Sequence, residues 1–253
     1  MDKNRAEDNS AEDNNAEDNQ AEKNHIEKNY IEENQTETIL IACAMQQDEI
    51  EHYREKYHIT YPVVYLKRGL HSRPAYLHEM LQEQIDKYQQ YDTILLSYGL
   101  CGGATNQLVS KSTRLVLPRY HDCIHQLLCN VVDKSSLYMT RAWTIDEESI
   151  LGQCRKITEE YGVTDGKDIL QAIYGGYEKI TVIDTDSYAL DPVMENAQKA
   201  AGMLSMNVHS QHTDCSMIRK LLCGQFDRNF IVCAPGEAVC TNMFFSCGNT
   251  SKQ

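Results

Sequence analysis

The sequence predicts an α/β fold: a doubly wound, mostly parallel sheet with helices on both faces. Three observations lead there. Short apolar runs without polar alternation recur between turn signals, as strands buried on both faces do. Amphipathic helical patterns alternate with those runs, and strand, helix, strand order requires right-handed crossovers between parallel neighbours. The stretch after residue 37 is long for one domain, so two similar lobes with a cleft between them form the alternative arrangement.

In the first half the predicted strands are residues 38–44 (TILIACA), 62–66 (PVVYL), 93–98 (TILLSY) and 114–117 (RLVL). Between the second and third, Pro74 suits a first helical turn, and Leu77, Leu81, Ile85 and Tyr88 recur at helical spacing. The second half follows the same pattern with weaker signals. Residues 136–143 (SLYMTRAW) read as a strand, and a helix runs through Ile150, Cys154 and Ile157. The strand 179–183 (KITVI) ends on Asp184, Thr185 and Asp186, and helices are expected at 192–203 and 216–222. A last strand, 230–233 (FIVC), runs into Ala234, Pro235 and Gly236, whereas the segment from His209 to Cys215 reads as a loop. The expected domain spans 38–237, followed by a C-terminal tail at 238–253.

Residues 1–37 are different material. The units AEDNS, AEDNN, AEDNQ, AEKNH, IEKNY and IEENQ repeat every five residues, which advances about 140° around a helix and aligns no apolar stripe. This tail carries 12 acidic and 4 basic side chains, a net of −8 out of the chain's −13. Low hydrophobicity with high charge predicts a disordered, solvated tail, with an acidic spacer as the functional alternative.

The remaining net charge is mildly acidic and no basic stripe occurs, so nucleic acid and anionic membrane are not the expected partners. The first thirty residues contain no apolar signal-peptide core and no later run is long enough to span a bilayer, which predicts a cytoplasmic protein. In that compartment the 10 cysteines are expected as thiols, ligands or core residues rather than disulfides.

Each of the first four strands delivers a cysteine or histidine just past its end: Cys43, His71, Cys101, and His121 with Cys123. Parallel strands converge their C-terminal ends on one crevice, where open α/β sheets bind ligands. No C-x-x-C occurs, so a ligand set must be assembled from separate strands. Cys129, Cys154, Cys223 and Cys233 are most simply core or helix-face residues, and a core role is a serious alternative for Cys43 as well. Cys101 sits in Gly99-Leu100-Cys101-Gly102-Gly103, where Gly99, Gly102 and Gly103 would let backbone approach a ligand or cofactor. The same five residues fit G-x-C-x-G, a nucleophile elbow with cysteine in place of serine, although the following ATNQLVSKSTR is a poor helix.

His121, Asp122 and Cys123 put an imidazole, a carboxylate and a thiol at the next strand's end. Asp122 would cap the following helix or orient a ligating histidine. Thiolate and imidazole ligands point first to zinc. Three thiolates also suit an iron–sulfur cluster, with cobalt, nickel or copper as further options. A rival set, His209, His212 and Cys215, has H-x-x-H-x-x-C spacing, a loose pattern with a high false-positive rate. Asp184 and Asp186 would bind a ligand hydroxyl or a cation, ordinary turn chemistry being the plainer role.

The stretches GLHSRP (69–74), YDTILLSYGLCGG (91–103), LVLPRYHDCI (115–124), YEKITVIDT (177–185) and IRKLLCGQFDRNFIVCAPGE (218–237) together resemble the domain-of-unknown-function 1638 family of bacteria and archaea. The likeness covers residues 38–237 in the family's order, with departures at Ala142 and Ala234, where members carry glycine and proline. It implies a protein of anaerobes, encoded near corrinoid-dependent methyltransferases for methylamines or betaines, and supplies no reaction. Three functions are therefore expected in turn. The first is a zinc or other thiophilic metal site of Cys43, Cys101 and Cys123 with His121 or His71, serving one-carbon metabolism with a small-molecule or methyl-carrier substrate and a corrinoid protein or methyltransferase as partner. The second is metal-free covalent catalysis by Cys101, with His121 as base and Asp122 or Asp184 orienting it. The third is a noncatalytic module binding a corrinoid or nucleotide. A single-ion site requires the three sulfurs to lie within about 4 Å of one another.

Overall fold

The computed structural model describes residues 37–145 and 149–245; the pentapeptide tail and the last residues of the C-terminal tail lie outside that range. In chain order the elements are β1 (Thr38–Cys43), α1 (Gln47–Lys56), β2 (Val63–Leu66), α2 (Pro74–Lys87), β3 (Thr93–Ser97), β4 (Arg114–Pro118) and α3 (Cys123–Leu127). There follow β5 (Ser136–Met139), α4 (Ile150–Tyr174), β6 (Lys179–Asp184), α5 (Leu190–Leu204), β7 (Asn207–His212), α6 (Ser216–Leu222) and β8 (Phe230–Cys233).

These strands make two sheets. The first runs β2-β1-β3-β4-β8 and the second β5-β6-β7. Every pairing is parallel except β4 with β8, where Pro118 faces Phe230 and Leu115 faces Cys233. The α/β class and the mostly parallel sheet are as the sequence predicts. By returning antiparallel along β4, β8 closes that edge, and β5 to β7 pair among themselves. The two sheets differ in strand number and order, so they are not two similar lobes.

Strand order positions the candidate site. From β1 the chain steps outward to β2, then crosses back over β1 to lay down β3 on its other side. That reversal opens a crevice between the C-terminal ends of β1 and β3. The second sheet is laid down in sequence order and has no reversal among the described strands.

Alternation along β1, β3 and β4 divides the first sheet's side chains between two cores. Ile39, Ile41, Ile94, Leu96, Leu115 and Leu117 join Leu77, Leu81 and Ile85 of α2 on one face. Leu40, Ala42, Leu95 and Val116 point to the other, against Ile50 and Tyr53 of α1 and Ile218, Leu221 and Leu222 of α6. Tyr138 and Ile183 of the second sheet belong to this latter core, so one apolar layer is shared by both sheets. The outer face of the second sheet is covered by α4 and α5 through Leu151, Cys154, Leu170, Ala197 and Ala201. Val239 and Phe244 are buried in the α2 core, so packing continues past residue 237.

Three local expectations change. The strand predicted over 136–143 ends at Met139, because Thr140 leads into a 3₁₀ turn at Arg141–Trp143. The stretch from His209, expected as a loop, lies largely in β7, whose polar side chains sit on an exposed edge strand and conceal the apolar alternation that marks a strand. The helix begun at Ile150 continues to Tyr174, broken at Gly162 with φ 78°. Among the described residues no helix is long and apolar enough to cross a membrane.

Candidate functional site

The crevice between β1 and β3 holds the cysteines that the sequence singles out. Cys43 ends β1, Cys101 lies in the turn after β3, and Cys123 opens α3 after β4. The three residues line one small cavity of about 20 Å³ together with His71, Ser97 and Tyr98. A space of that size admits about one water-sized group.

Backbone geometry explains how the turns meet. Leu100 N donates to Tyr120 O at 2.8 Å and Cys101 N to His121 O at 2.9 Å, lacing the turn after β3 to the turn after β4. A Cβ on Gly99 would stand 2.5 Å from Tyr120 O and 2.9 Å from Asp122 N, so only glycine permits the approach. Gly99 thus makes room for backbone and not for a ligand. Gly102, at φ 68°, packs on Pro74, while Gly103, at φ 94°, has open space where a side chain would be. Cys101 itself adopts φ 47°, a conformation few non-glycine residues take.

Behind the cavity lies a buried polar cluster that sequence reasoning missed. Ser97 Oγ donates to Gln46 Oε1 at 2.8 Å, and Gln46 Nε2 donates to Gln126 Oε1 at 3.2 Å. Gln46 follows β1, Ser97 ends β3 and Gln126 lies in α3, so these bonds tie together the elements that carry the three cysteines. Two isolated glutamines carry no sequence signal for such a pairing.

Electrostatics at the cavity are unusual. Burial pushes the Cys101 thiol up to about 12, with repulsion from Cys43 adding to it. Cys123 lies well above the ordinary thiol range through burial and repulsion from Cys43 and Cys101. Burial raises Cys43 as well, while a hydrogen bond from the Met45 backbone and, less, the Arg68 guanidinium pull it back. Tyr98, 2 % exposed, feels all three cysteines, and its buried hydroxyl has no hydrogen-bond partner. The cavity thus brings three thiols and one unsatisfied hydroxyl together with His71, Ser97 and the cationic Lys67.

The remaining predicted residues separate. His71 lines the cavity from a 3₁₀ turn, with its ring 5.2 Å from Trp143, and burial lowers its pKa against the opposing pull of Asp122. His121 instead points outward, its side chain 61 % exposed and its Nδ1 3.1 Å from Asp122 Oδ2. Asp122 caps α3 by accepting from His125 N at 2.9 Å and also meets His125 Nδ1 at 2.8 Å. Burial works to raise the Asp122 pKa, but the bonds from His125 and His121 outweigh it and hold the group below its usual value. His125 was missed, although H-x-x-x-H from His121 would have put both on one face of a helix.

Asp184 lies in the second sheet and does not line the thiol cavity. With Asp186 and His212 it forms one of two groups of three ligand atoms that fall within 4.8 Å of one another among the described residues; the other is His121, Asp122 and His125. Parallel pairing sets Asp184 beside His212, which draws His212 away from the rival set with His209 and Cys215. The Cys43, Cys101 and Cys123 sulfurs are not such a group. They face one cavity without the mutual spacing of about 4 Å that one zinc ion requires, so the expected preformed single-ion site is not met, and the plainer reading of the convergence is an accident of buried cysteines. All nine described cysteines are free thiols.

Fold and cavity together define an α/β protein with a cysteine-lined crevice at a reversal of strand order. The chain belongs to the family described as Protein of unknown function (DUF1638), whose model matches residues 65–222. That span includes His71, Cys101 and Cys123, and leaves β1 with Cys43 just before it. Comparisons with curated proteins and with solved structures found no match.

Proposed function

We propose that this chain holds a thiophilic metal through Cys43, Cys101 and Cys123 at the crevice between β1 and β3. One observation carries the reading: three half-buried thiols and the partnerless Tyr98 hydroxyl surround a single cavity. Buried polar groups are normally satisfied, and an orphan hydroxyl among thiols marks a place where a polar occupant is missing from the account. A cation reverses the electrostatics there, since it stabilises the thiolates that burial and mutual repulsion oppose, and its binding releases their protons.

Sulfur donors favour zinc, copper(I) or an iron–sulfur cluster over hard ions such as magnesium. Zinc would require the three side chains to rotate toward one another; bound by three thiolates it keeps a fourth position, which His71 or a substrate would fill from the cavity wall. A cavity of about 20 Å³ has room for a single ion and not for an iron–sulfur cluster. Within this reading, a metal with an open position would bind a thiol or amine substrate or a methyl carrier. The corrinoid-linked one-carbon setting, with a corrinoid protein or methyltransferase as partner, is the context that the family resemblance implies.

The covalent alternative has less support. A Cys101 thiol near 12 is almost wholly protonated at neutral pH, and His121 is engaged with Asp122 on the exposed side. The turn after β3 leads into no α-helix before β4, so the elbow context is missing.

Metal analysis of protein purified without oxygen tests the reading. We expect about one zinc or other thiophilic ion per chain, and its loss in Cys101→Ser and Cys123→Ser. Absence of stoichiometric metal from the native protein, or variants that keep as much metal as the native protein, contradicts it.

A further inference from the structure

The turn that delivers Cys123 inward carries two imidazoles on its outer side. His121 and His125 flank Asp122 at the start of α3, and their rings lie 5.3 Å apart. His121 Nδ1 stands 3.1 Å from Asp122 Oδ2, and His125 Nδ1 stands 2.8 Å from Asp122 Oδ1. One donor atom from each of the three side chains lies within 4.8 Å of the other two. Among the described residues that line the thiol cavity, Cys123 is present and these three are not.

The cap of α3 explains part of this arrangement. Asp122 Oδ1 accepts from His125 N at 2.9 Å, as an N-cap carboxylate does, and that bond fixes the carboxylate against the helix. His125 reaches the same oxygen because positions three apart are neighbours on a helix surface. Capping requires neither histidine. It also leaves out His121, which precedes the cap and approaches the other carboxylate oxygen. The outcome is two imidazoles on the two oxygens of one carboxylate, with His121 exposed and Asp122 and His125 half-buried.

That geometry suits a cation. Zinc bonds to imidazole nitrogen and carboxylate oxygen at about 2.0–2.2 Å, which puts neighbouring donors roughly 3–3.5 Å apart on a shared ion. The two nitrogen-to-oxygen separations stand at or just under that spacing, and the exposed His121 ring can turn to adjust the third. Asp184, Asp186 and His212, the other group with close donors, have one imidazole and contacts of 3.7 and 3.8 Å. Two imidazoles with one carboxylate favour zinc, nickel, cobalt(II) or copper(II) over magnesium or calcium, and over copper(I), which prefers sulfur.

We propose that His121, Asp122 and His125 form a second cation site on the outer side of the turn bearing Cys123, which takes a borderline divalent ion and leaves its remaining coordination positions to solvent. This site does not rest on the thiol reading above. Three donors open to water hold an ion more loosely than a set of thiolates, so this ion exchanges, and the single ion expected after purification remains that of the thiols. The two sites differ in donor class: sulfur inside, nitrogen and oxygen outside.

Cobalt(II) tells them apart, because thiolate ligands give an intense sulfur-to-metal absorption and imidazole with carboxylate does not. Metal-free, full-length protein without a histidine tag is titrated anaerobically with cobalt(II), read by calorimetry and by absorption. We expect one equivalent to bind without the sulfur band. His121→Ala and His125→Ala should weaken that equivalent on the order of ten-fold or more and leave any sulfur band unchanged, with thermal melts confirming the fold of each. Asp122→Asn, which keeps a good cap but loses the charged donor, should weaken it as well. Cys101→Ser should leave it in place. Uptake of cobalt only with the sulfur band, no uptake at all, or a sulfur-free equivalent that survives both histidine variants would each overturn the proposal. A histidine-dependent equivalent in protein that shows no sulfur band leaves this site standing while the thiol reading falls.

Discussion

The C-terminal rims of the two sheets collect different chemistry. At the first rim, β1 and β3 part where strand order reverses, and Cys43, Cys101, Cys123 and Tyr98 lie in a crevice sealed enough to keep the thiols neutral. At the second, β6 and β7 run side by side, and Asp186 and His212 stand largely in solvent, 70 % and 60 % exposed, beside the half-buried Asp184. The exposed set has the closer ligand atoms, all within 4.8 Å, yet its distances of 3.7 and 3.8 Å are those of weak surface ion pairs. Topology, more than proximity of donors, distinguishes the rims. A reversal of strand order creates an enclosed volume, and enclosure gives the thiols their unusual electrostatics.

Substitutions can break or sharpen this contrast. The largest effect is expected from Gly99→Ala, whose new Cβ meets the Tyr120 carbonyl oxygen at 2.5 Å. Forcing the two turns apart should cost about 1–3 kcal/mol in denaturant unfolding and remove metal binding with it. Unchanged stability and metal content would show that the lacing of the turns does not build the site.

Next comes Glu49, in the first turn of α1 between the sheets. It is 1 % exposed, accepts from Thr185 Oγ1 at 3.2 Å, and has a partnerless Oε2. Its neighbour Asp48 pairs with Arg141 across the same boundary. Burial raises the Glu49 carboxyl from 4.5 to about 7, against weaker lowering by its backbone, Thr185 and Arg141. The folded state therefore holds a proton that the unfolded state has lost between pH 4.5 and about 7. Stability contributed by this group falls as pH rises through that window, by about 3 kcal/mol in all. Glu49→Gln should flatten the pH profile of chemical denaturation, and a profile as steep as that of the native protein would remove Glu49 from the account.

The smallest effect is expected at the second rim. Asp186→Ala should alter stability by no more than about 0.5 kcal/mol and leave metal content unchanged. A loss of bound metal there would move the functional site from the first rim to the second.

Much of the first rim was legible because its signals are local. Apolar runs mark strands, and a cysteine after a strand is placed at the rim by parallel topology alone. The residues that complete the site required tertiary information: the Gln46, Ser97 and Gln126 cluster joins three separate elements, and the Tyr98 hydroxyl shows its lack of a partner only after folding. His121 misled because three adjacent residues do not share a direction. Cys123 begins a helix facing inward, while His121 precedes the cap and faces out. The second sheet was harder to read, since β7 carries Asn, His, Ser and Gln on an exposed edge and so lacks strand-like hydrophobic alternation.

The central claim is that three neutral thiols exchange their protons for one metal centre, and proton release during anaerobic metal titration measures it most directly. Metal-free protein titrated with zinc in weak buffer near neutral pH should release about three protons per ion bound, falling to about two in Cys101→Ser if that variant still binds. Uptake of zinc with release of one proton or none, or identical release by the native protein and Cys101→Ser, would contradict the account.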